Sequence, residues 1–347
     1  MILNLKKPRI CVLIPAHNEE LTLGRSIKSL FESGIDPSDI YVINDYSTDN
    51  TANVATKLGV NILNNIKNIG KGGSIEHGIK ELKICTNYEF ALFLDADTVI
   101  DKDYFYWTME RFGSDYSIVA VPGQPKSIQH NWLTAHRALQ YFTSCSIYKG
   151  GQSAMGVITV APGCSTTFKT KVLPELNWNN GTLVEDMDVT MQIYRKKLGK
   201  IAYEPKAVVH TQDPMTISDY WKQMNRWYCG TWQVAKNHNV PFGFSRIDIE
   251  LLFLLAEGMI FGLLFTAIPL IAIIYPNLIS LLIITDQTIL LLFALMLGIR
   301  DKRSDVLRFF WSFIFLRFVD CFVLLLSFWK IIIQDKKRIG WFSPARY

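Results

Sequence analysis

The stretch "EFALFLDADTVI" runs an apolar segment, Ala91 to Leu94, into two aspartates, Asp95 and Asp97, that flank one alanine. Carboxylates this close repel each other, so the pair wants a cation. At the tip of a buried strand they can ligate a hard divalent ion, Mg²⁺ or Mn²⁺, and leave positions open for phosphate oxygens. Asp-x-Asp recurs at Asp101/Asp103 and Asp186/Asp188. Only the first follows an apolar strand. A second acidic group, Glu185, Asp186 and Asp188 in "GTLVEDMDVTMQIYRKKLG", reads as a helix start, where the dipole favours carboxylates. It holds more acid than a cap needs. An Asp at such a helix start, facing the metal rim, would serve as a general base for an acceptor hydroxyl. In "SDYWKQMNRWYCGTWQV" a helix expected to open at Ser218 puts Gln223, Arg226 and Trp227 on one face. An amide, a guanidinium and an indole together suit a pyrophosphate and a sugar or base ring.

The elements that must position these groups follow a repeating plan. "RICVLIPAHNEE", "SDIYVINDYSTDNT" and "YEFALFLDADT" are each a short apolar, β-branched run that ends in a polar turn. Helix-like stretches lie between them, closing on Gly34, on Gly59 and after "GGSIEHGIKELK". Such alternation predicts βαβ units and a mostly parallel sheet. Ligands of these sheets bind beyond the carboxyl ends of the strands. His17, Asn18, Asn44, Asp45, Asp95 and Asp97 should therefore converge on one rim. "PAHNEE" is not the glycine-rich phosphate loop of a dinucleotide-binding fold.

The rest of the 347-residue chain is apolar. Residues 251–275 carry one charge, Glu257; residues 278–298 carry one, Asp286; residues 309–333 carry Arg317, Asp320 and Lys330. Each is long enough to cross about 30 Å of hydrocarbon as a helix, and none shows the polar face of a helix in a soluble bundle. The expected organisation is a soluble domain over residues 1–240 and a membrane region over 241–347 with about three spans and a basic tail. The N-terminal run has a short apolar part and no small-residue cleavage site, so it does not read as a signal peptide, and the first domain is expected in the cytoplasm. Three simple crossings would put the loop 299–308 and the tail on opposite sides, although both are basic. One segment is then re-entrant, interfacial or doubly spanning, with the polar break Thr285–Thr288 as the weak point. Arg317 and Asp320, three residues apart, can pair along one helix face. Six scattered cysteines without a CxxC pair fit reduced thiols. The net charge of +5, with basic residues beside the spans, suits membrane lipid head groups rather than nucleic acid.

"PAHNEE", "NDYSTDNT", "NIGKGG", "DAD", "VED" and "QMNRW" occur in an order and spacing that resembles the family 2 glycosyltransferases with a GT-A fold. The QxxRW element resembles the membrane-embedded branch of cellulose, chitin, hyaluronan and poly-N-acetylglucosamine synthases. The resemblance covers about residues 8 to 240. It implies an α/β GT-A domain followed by transmembrane helices, and a multi-pass enzyme that transfers a sugar from a nucleotide-diphosphate donor, a UDP-sugar in the first instance. The acceptor would be a growing glycan or, alternatively, a lipid such as a polyprenyl phosphate; a silent sugar-nucleotide-binding subunit is the remaining alternative. It further implies donor binding by Pro15, Asn18, Glu19, Asp45, Lys71 and Asp95, with Asp45 at the uracil. Asp97, with Asp95, would hold the metal, and Asp186 would be the base. Glu185, Gly163, Cys164, Gln223, Arg226 and Trp227 would serve the acceptor or diphosphate. Asn44, Tyr46, Glu76 and Cys164 depart from the family's usual residues. The larger synthases have more membrane helices, which leaves room for export or accessory subunits.

Overall fold

The computed structural model describes residues 9–128 and 130–336; the basic tail expected beyond Lys336 lies outside them. The strands are β1 (Ile10–Ala16), β2 (Ile40–Asn44), β3 (Asn61–Asn64), β4 (Phe90–Phe93), β5 (Val99–Ile100), β6 (Ile118–Pro122), β7 (Gln124–Ser127), β8 (Thr166–Lys169), β9 (Lys200–Ile201) and β10 (Val208–Thr211). The helices of the first 240 residues are α1 (Leu23–Glu32), α2 (Thr51–Lys57), α3 (Gly70–Glu81), α4 (Ile84–Asn87), α5 (Tyr104–Ser114), α6 (Trp132–Tyr141), α7 (Gly150–Met155), α8 (Glu185–Arg195) and α9 (Ile217–Asn237). A π-helical stretch, Phe142–Lys149, joins α6 to α7.

A seven-stranded sheet has the order β3-β2-β1-β4-β8-β6-β9, and a three-stranded one the order β5-β10-β7. In the larger sheet only β8 runs against its neighbours β4 and β6. The sequence "ICVLIPA" is apolar without alternation because β1 is covered on both faces. Cys11 and Leu13 pack with Ile75 of α3 and Val189 of α8. Val12 and Ile14 face the other way, onto Leu23 and Ile27 of α1. β1 is parallel to both β2 and β4, so the turns after Ala16, Asn44 and Phe93 emerge on one edge, as the βαβ pattern predicts.

Beyond residue 240 come α10 (Arg246–Ile274), α11 (Pro276–Arg300), α12 (Ser304–Arg308) and α13 (Phe313–Phe328). Two of these, α10 and α11, are long and apolar enough to cross a membrane, and only 17% and 11% of their most apolar windows are buried. A core helix of a soluble protein would be mostly buried. The third expected span differs. Residues 309–333 break into a 3₁₀ turn at Phe310–Ser312, the sixteen-residue α13 and a π turn at Trp329–Ile333. α13 packs against α9 and α10, burying Leu316 and Val323.

Arg317 and Asp320 do not pair with each other. Spacing of three residues allows a pair, but tertiary packing offers each a partner on a different element. Arg317 bonds Asp286 in the polar break of α11. Asp320 accepts from Tyr220 Oη at 2.6 Å and Gln140 Nε2 at 2.8 Å, and lies 3.2 Å from His136 Nε2. The helix expected to open at Ser218 instead starts one residue earlier, capped by Thr216, whose hydroxyl accepts from the Asp219 N–H.

Candidate active site

The strand edge and the helices above it enclose a cavity of about 730 Å³. Its floor is the set of turns that the parallel strands bring together. After β1 come His17 and Glu19, after β2 Asp45, and after β4 Asp95 and Asp97; all line the cavity. Lys71, from the first turn of α3, reaches across them. Its ammonium lies 2.6 Å from Asp95 Oδ1 and 3.1 Å from Glu185 Oε1 at the start of α8. One lysine thus ties the strand-tip aspartate to the acidic helix start. Burial works against its charge, but the coulombic pull of Asp95, Glu185 and Asp186 wins and holds Lys71 firmly protonated.

Asp186 sits beside this pair. Its Oδ2 accepts from the Gly163 N–H at 2.9 Å and its Oδ1 from the Met187 N–H at 2.8 Å. Burial, and then the neighbouring charge of Glu185, raise its pKa above the ordinary carboxylate range, while Lys71 and the two N–H groups pull the other way. A carboxylate raised in this way and oriented by two backbone donors is suited to take a proton. Gly163 has to be small. A Cβ there would meet Lys71 Nζ at 2.9 Å and the Asp186 side chain at 3.4 Å.

Above the carboxylates α9 contributes Gln223, Arg226 and Trp227, all lining the cavity. Arg226 donates to the Leu183 carbonyl at 3.2 Å, and among the described residues the buried Gln223 Oε1 has no hydrogen-bond partner. Trp227 is held from behind by Arg137 of α6, whose guanidinium lies 4.5 Å from its ring centroid and 4.8 Å from that of Tyr141. Arg137 is 1% exposed and lies 3.4 Å from Asp213.

Of the residues singled out from the sequence, Pro15, Glu19, Asp45, Lys71, Asp95, Asp97, Gly163, Cys164, Glu185, Asp186, Gln223, Arg226 and Trp227 line this one cavity. Three do not. Asn18 adopts a left-handed φ of 57°, and its Oδ1 accepts from the Thr48 N–H at 2.8 Å, stapling the turn after β1 to the turn after β2. Asn44 donates to Asn64 Oδ1 at 2.7 Å and accepts from the Ser47 N–H. Asp188 points away, to Gln192 at 2.6 Å and His238 at 2.9 Å. Asp45 does line the cavity, but its carboxylate accepts from the N–H groups of Ile69 and Gly70 and from Asn65. It therefore shapes the entry into α3 as well as lining the cavity. Tyr141, Ser144, Cys145, Lys149 and Gln212 also line the cavity. Ser144, Cys145 and Lys149 carry no helical stripe in the sequence because Phe142–Lys149 is wound as a π-helix, whereas Tyr141 ends α6 and Gln212 follows β10.

The donor set can be tested for a divalent ion. Asp97 is 9% exposed and the Asp95 side chain is more open, both on oxygen ligands that suit Mg²⁺ or Mn²⁺. Among the described residues no group of three or more His, Cys, Asp or Glu side chains is placed to hold a metal ion by itself. Asp95 and Asp97 could contribute two carboxylates to such an ion, with Asp95 already 2.6 Å from the Lys71 ammonium.

A model of the glycosyltransferase-like family 2 matches residues 8–230, a stretch that runs into α9 beyond Gln223, Arg226 and Trp227. The chain belongs to this family. Among its curated relatives are the poly-β-1,6-N-acetyl-D-glucosamine synthase of Staphylococcus epidermidis, 30% identical over 231 residues, and that of Staphylococcus aureus (strain COL), 28% identical over 231 residues. Each match covers 65% of this chain and 55% of the synthase, so the chain spans about half the length of the curated relatives it matches. Among solved structures, the mannosyltransferase PcManGT from Pyrobaculum calidifontis, in complex with GDP-Man and Mn²⁺, superposes with a TM-score of 0.67 at 15% identity. The superposition covers 95% of this chain and 88% of that one. This likeness is one of fold, and it extends through the C-terminal helices. The glycosyltransferase domain is thus an α/β GT-A fold, with the cavity at the carboxyl edge of its mostly parallel sheet.

Proposed function

We propose that this glycosyltransferase is membrane-bound and inverting, and moves a sugar from a nucleotide-diphosphate donor, a UDP-sugar in the first instance, to a growing glycan. One observation carries it: Lys71 joins Asp95 to Glu185 within 3.1 Å and beside Asp186, so groups from β4, α3 and α8 share one cleft. The names of the curated relatives support polymer synthesis.

In this reading Asp45, Lys71 and Asp95 hold the nucleotide diphosphate, with Pro15 and Glu19 lining the donor end. Asp95 and Asp97 would hold Mg²⁺ or Mn²⁺, which supplies charge neutralisation for the departing diphosphate when bound. Asp186 accepts the proton of the acceptor hydroxyl. The freed oxygen forms the new bond to the anomeric carbon as the bond from that carbon to the diphosphate breaks, and the nucleoside diphosphate leaves with the electron pair. Gln223, Arg226 and Trp227 orient the diphosphate and the acceptor against Gly163 and Cys164. Their contribution is positioning and electrostatics. The domain before α10 works on the cytoplasmic face, with α10 and α11 as a membrane hairpin.

A second reading, single transfer to a lipid acceptor, is supported by the exposed apolar helices α10 and α11, which bond the cavity wall through Glu257 and Arg300. Product sizing by mass spectrometry separates the two. The central test is Asp186→Asn. Nucleotide binding should persist while kcat falls about 10²- to 10⁴-fold, the range for loss of a general base. Full turnover in this variant would remove Asp186 from the role. Chelation by EDTA should halt transfer, and restored Mn²⁺ should recover it.

A further inference from the structure

Two lysines line the cavity, and they differ in one respect. Lys71 is paired twice. Lys149 is 8% exposed and lines the cavity, yet among the described residues its ammonium has no carboxylate and no hydrogen-bond acceptor. The cavity's acids, Glu19, Asp45, Asp95, Asp97, Glu185 and Asp186, all leave it unpaired. An ammonium that faces the cavity without a carboxylate beside it is free to take an anionic group from a ligand there. It is also the last residue of the π-helical stretch Phe142–Lys149, a winding that occurs disproportionately at functional sites.

The position of that stretch says which ligand. Ser146 accepts from Arg300 at the end of α11 at 3.0 Å, and Tyr148 donates to Glu257 of α10 at 3.4 Å. The wall that carries Lys149 is therefore the wall shared with the two exposed apolar helices. The groups proposed for the nucleotide come from the tips of β2 and β4 and from α3. We propose that Lys149 is a phosphate-recognition residue on the acceptor side of the cavity, taking the phosphate of an amphiphilic acceptor whose hydrocarbon lies along α10 and α11. This rests on the glycosyltransferase reading above and favours its lipid-acceptor branch. A phosphoryl oxygen could also come from the donor diphosphate, and the test has an arm for each.

The experiment uses the full chain in detergent micelles, with direct binding of farnesyl phosphate, farnesol and UDP to wild type, Lys149→Met and Lys149→Arg. Wild type should bind farnesyl phosphate at least tenfold more tightly than farnesol. Lys149→Met should erase that preference with UDP affinity within twofold of wild type, and Lys149→Arg should retain most of it. A tenfold loss of UDP affinity in Lys149→Met, with the farnesyl phosphate preference kept, would assign the recognised phosphate to the donor and overturn the acceptor assignment. Unchanged affinity for both probes in a folded variant would overturn phosphate recognition altogether. Lys149→Gln provides a second neutral variant should Lys149→Met not fold. Because binding is read directly, a wild-type protein that discriminates farnesyl phosphate from farnesol yet transfers no sugar would sink the transferase reading and leave the Lys149 site standing.

Discussion

Replacing Gly163 by alanine adds one methyl group at the most crowded point of the cavity. Its Cβ would lie 2.9 Å from Lys71 Nζ, and separations under 3.4 Å are tighter than nine in ten real Cβ contacts. The ammonium must therefore retreat by about half an ångström, the difference between those two figures. It is held at 2.6 Å by Asp95 and 3.1 Å by Glu185, so a retreat stretches one of these contacts and shifts the carboxylates relative to Asp186. A misplacement of 1 Å in an active site can cost on the order of 10² in rate, so half that shift should lower kcat roughly tenfold. Folding should be affected by less than about 1 kcal/mol, since the crowded atom is the end of a flexible side chain. Gly163 also needs no left-handed backbone conformation. The control is Gly113→Ala in α5, where nothing lies within 4 Å of the added Cβ; it should keep its kcat and gain up to about 1 kcal/mol from helix propensity. Initial rates of nucleoside diphosphate release and thermal unfolding in detergent measure both quantities. A Gly163→Ala enzyme with wild-type kcat would show that the Lys71 position has no bearing on turnover, and the proposed arrangement would fall with it.

Further outcomes follow from the same geometry. Tyr46 has a φ of 59° and an exposed side chain. The left-handed conformation costs an L-residue roughly 1–2 kcal/mol, and glycine's extra chain entropy roughly 0.5–1 kcal/mol, so Tyr46→Gly should stabilise the fold by about 0.5–1 kcal/mol in urea titrations. Arg137→Met removes the cation between Trp227 and Tyr141 and leaves Asp213 without one of its partners; a loss of about 3 kcal/mol is expected, read as a lower unfolding midpoint. As a base Asp186 must be ionised, so kcat should decline as pH falls through its raised pKa. Lys71 is among the groups that oppose that rise, so Lys71→Met should move the acid limb of the kcat–pH profile to higher pH, while Lys71→Arg should not. Stability has the opposite sign: a raised carboxyl pKa contributes stability below the unfolded value and loses it as pH rises through the folded one. Asp186→Asn should abolish that component in unfolding measured against pH.

The alternation of apolar runs with helical stretches was enough to specify an α/β fold, because strands buried on both faces read as unbroken Val, Ile and Leu. It also placed His17, Asp45, Asp95 and Asp97 at strand ends, since in a parallel sheet every such end lies on one edge. Local periodicity likewise put Gln223, Arg226 and Trp227 on one helix face. What local pattern could not carry were contacts between distant segments. The Lys71 pairs with Asp95 and Glu185 depend on where α3 and α8 land on the sheet. Asn18 and Asn44 resemble rim ligands in sequence, but their short amides are consumed by the neighbouring turns. Arg317 and Asp320 look like a pair on one helix, and tertiary packing gives each a partner elsewhere. Lys149 lies in a stretch whose π winding hides it from any 3.6-residue pattern. Periodicity records which face of an element is buried. Only the packed fold decides which charges meet there, because ion pairs and hydrogen bonds act over a few ångströms and are indifferent to separation along the chain.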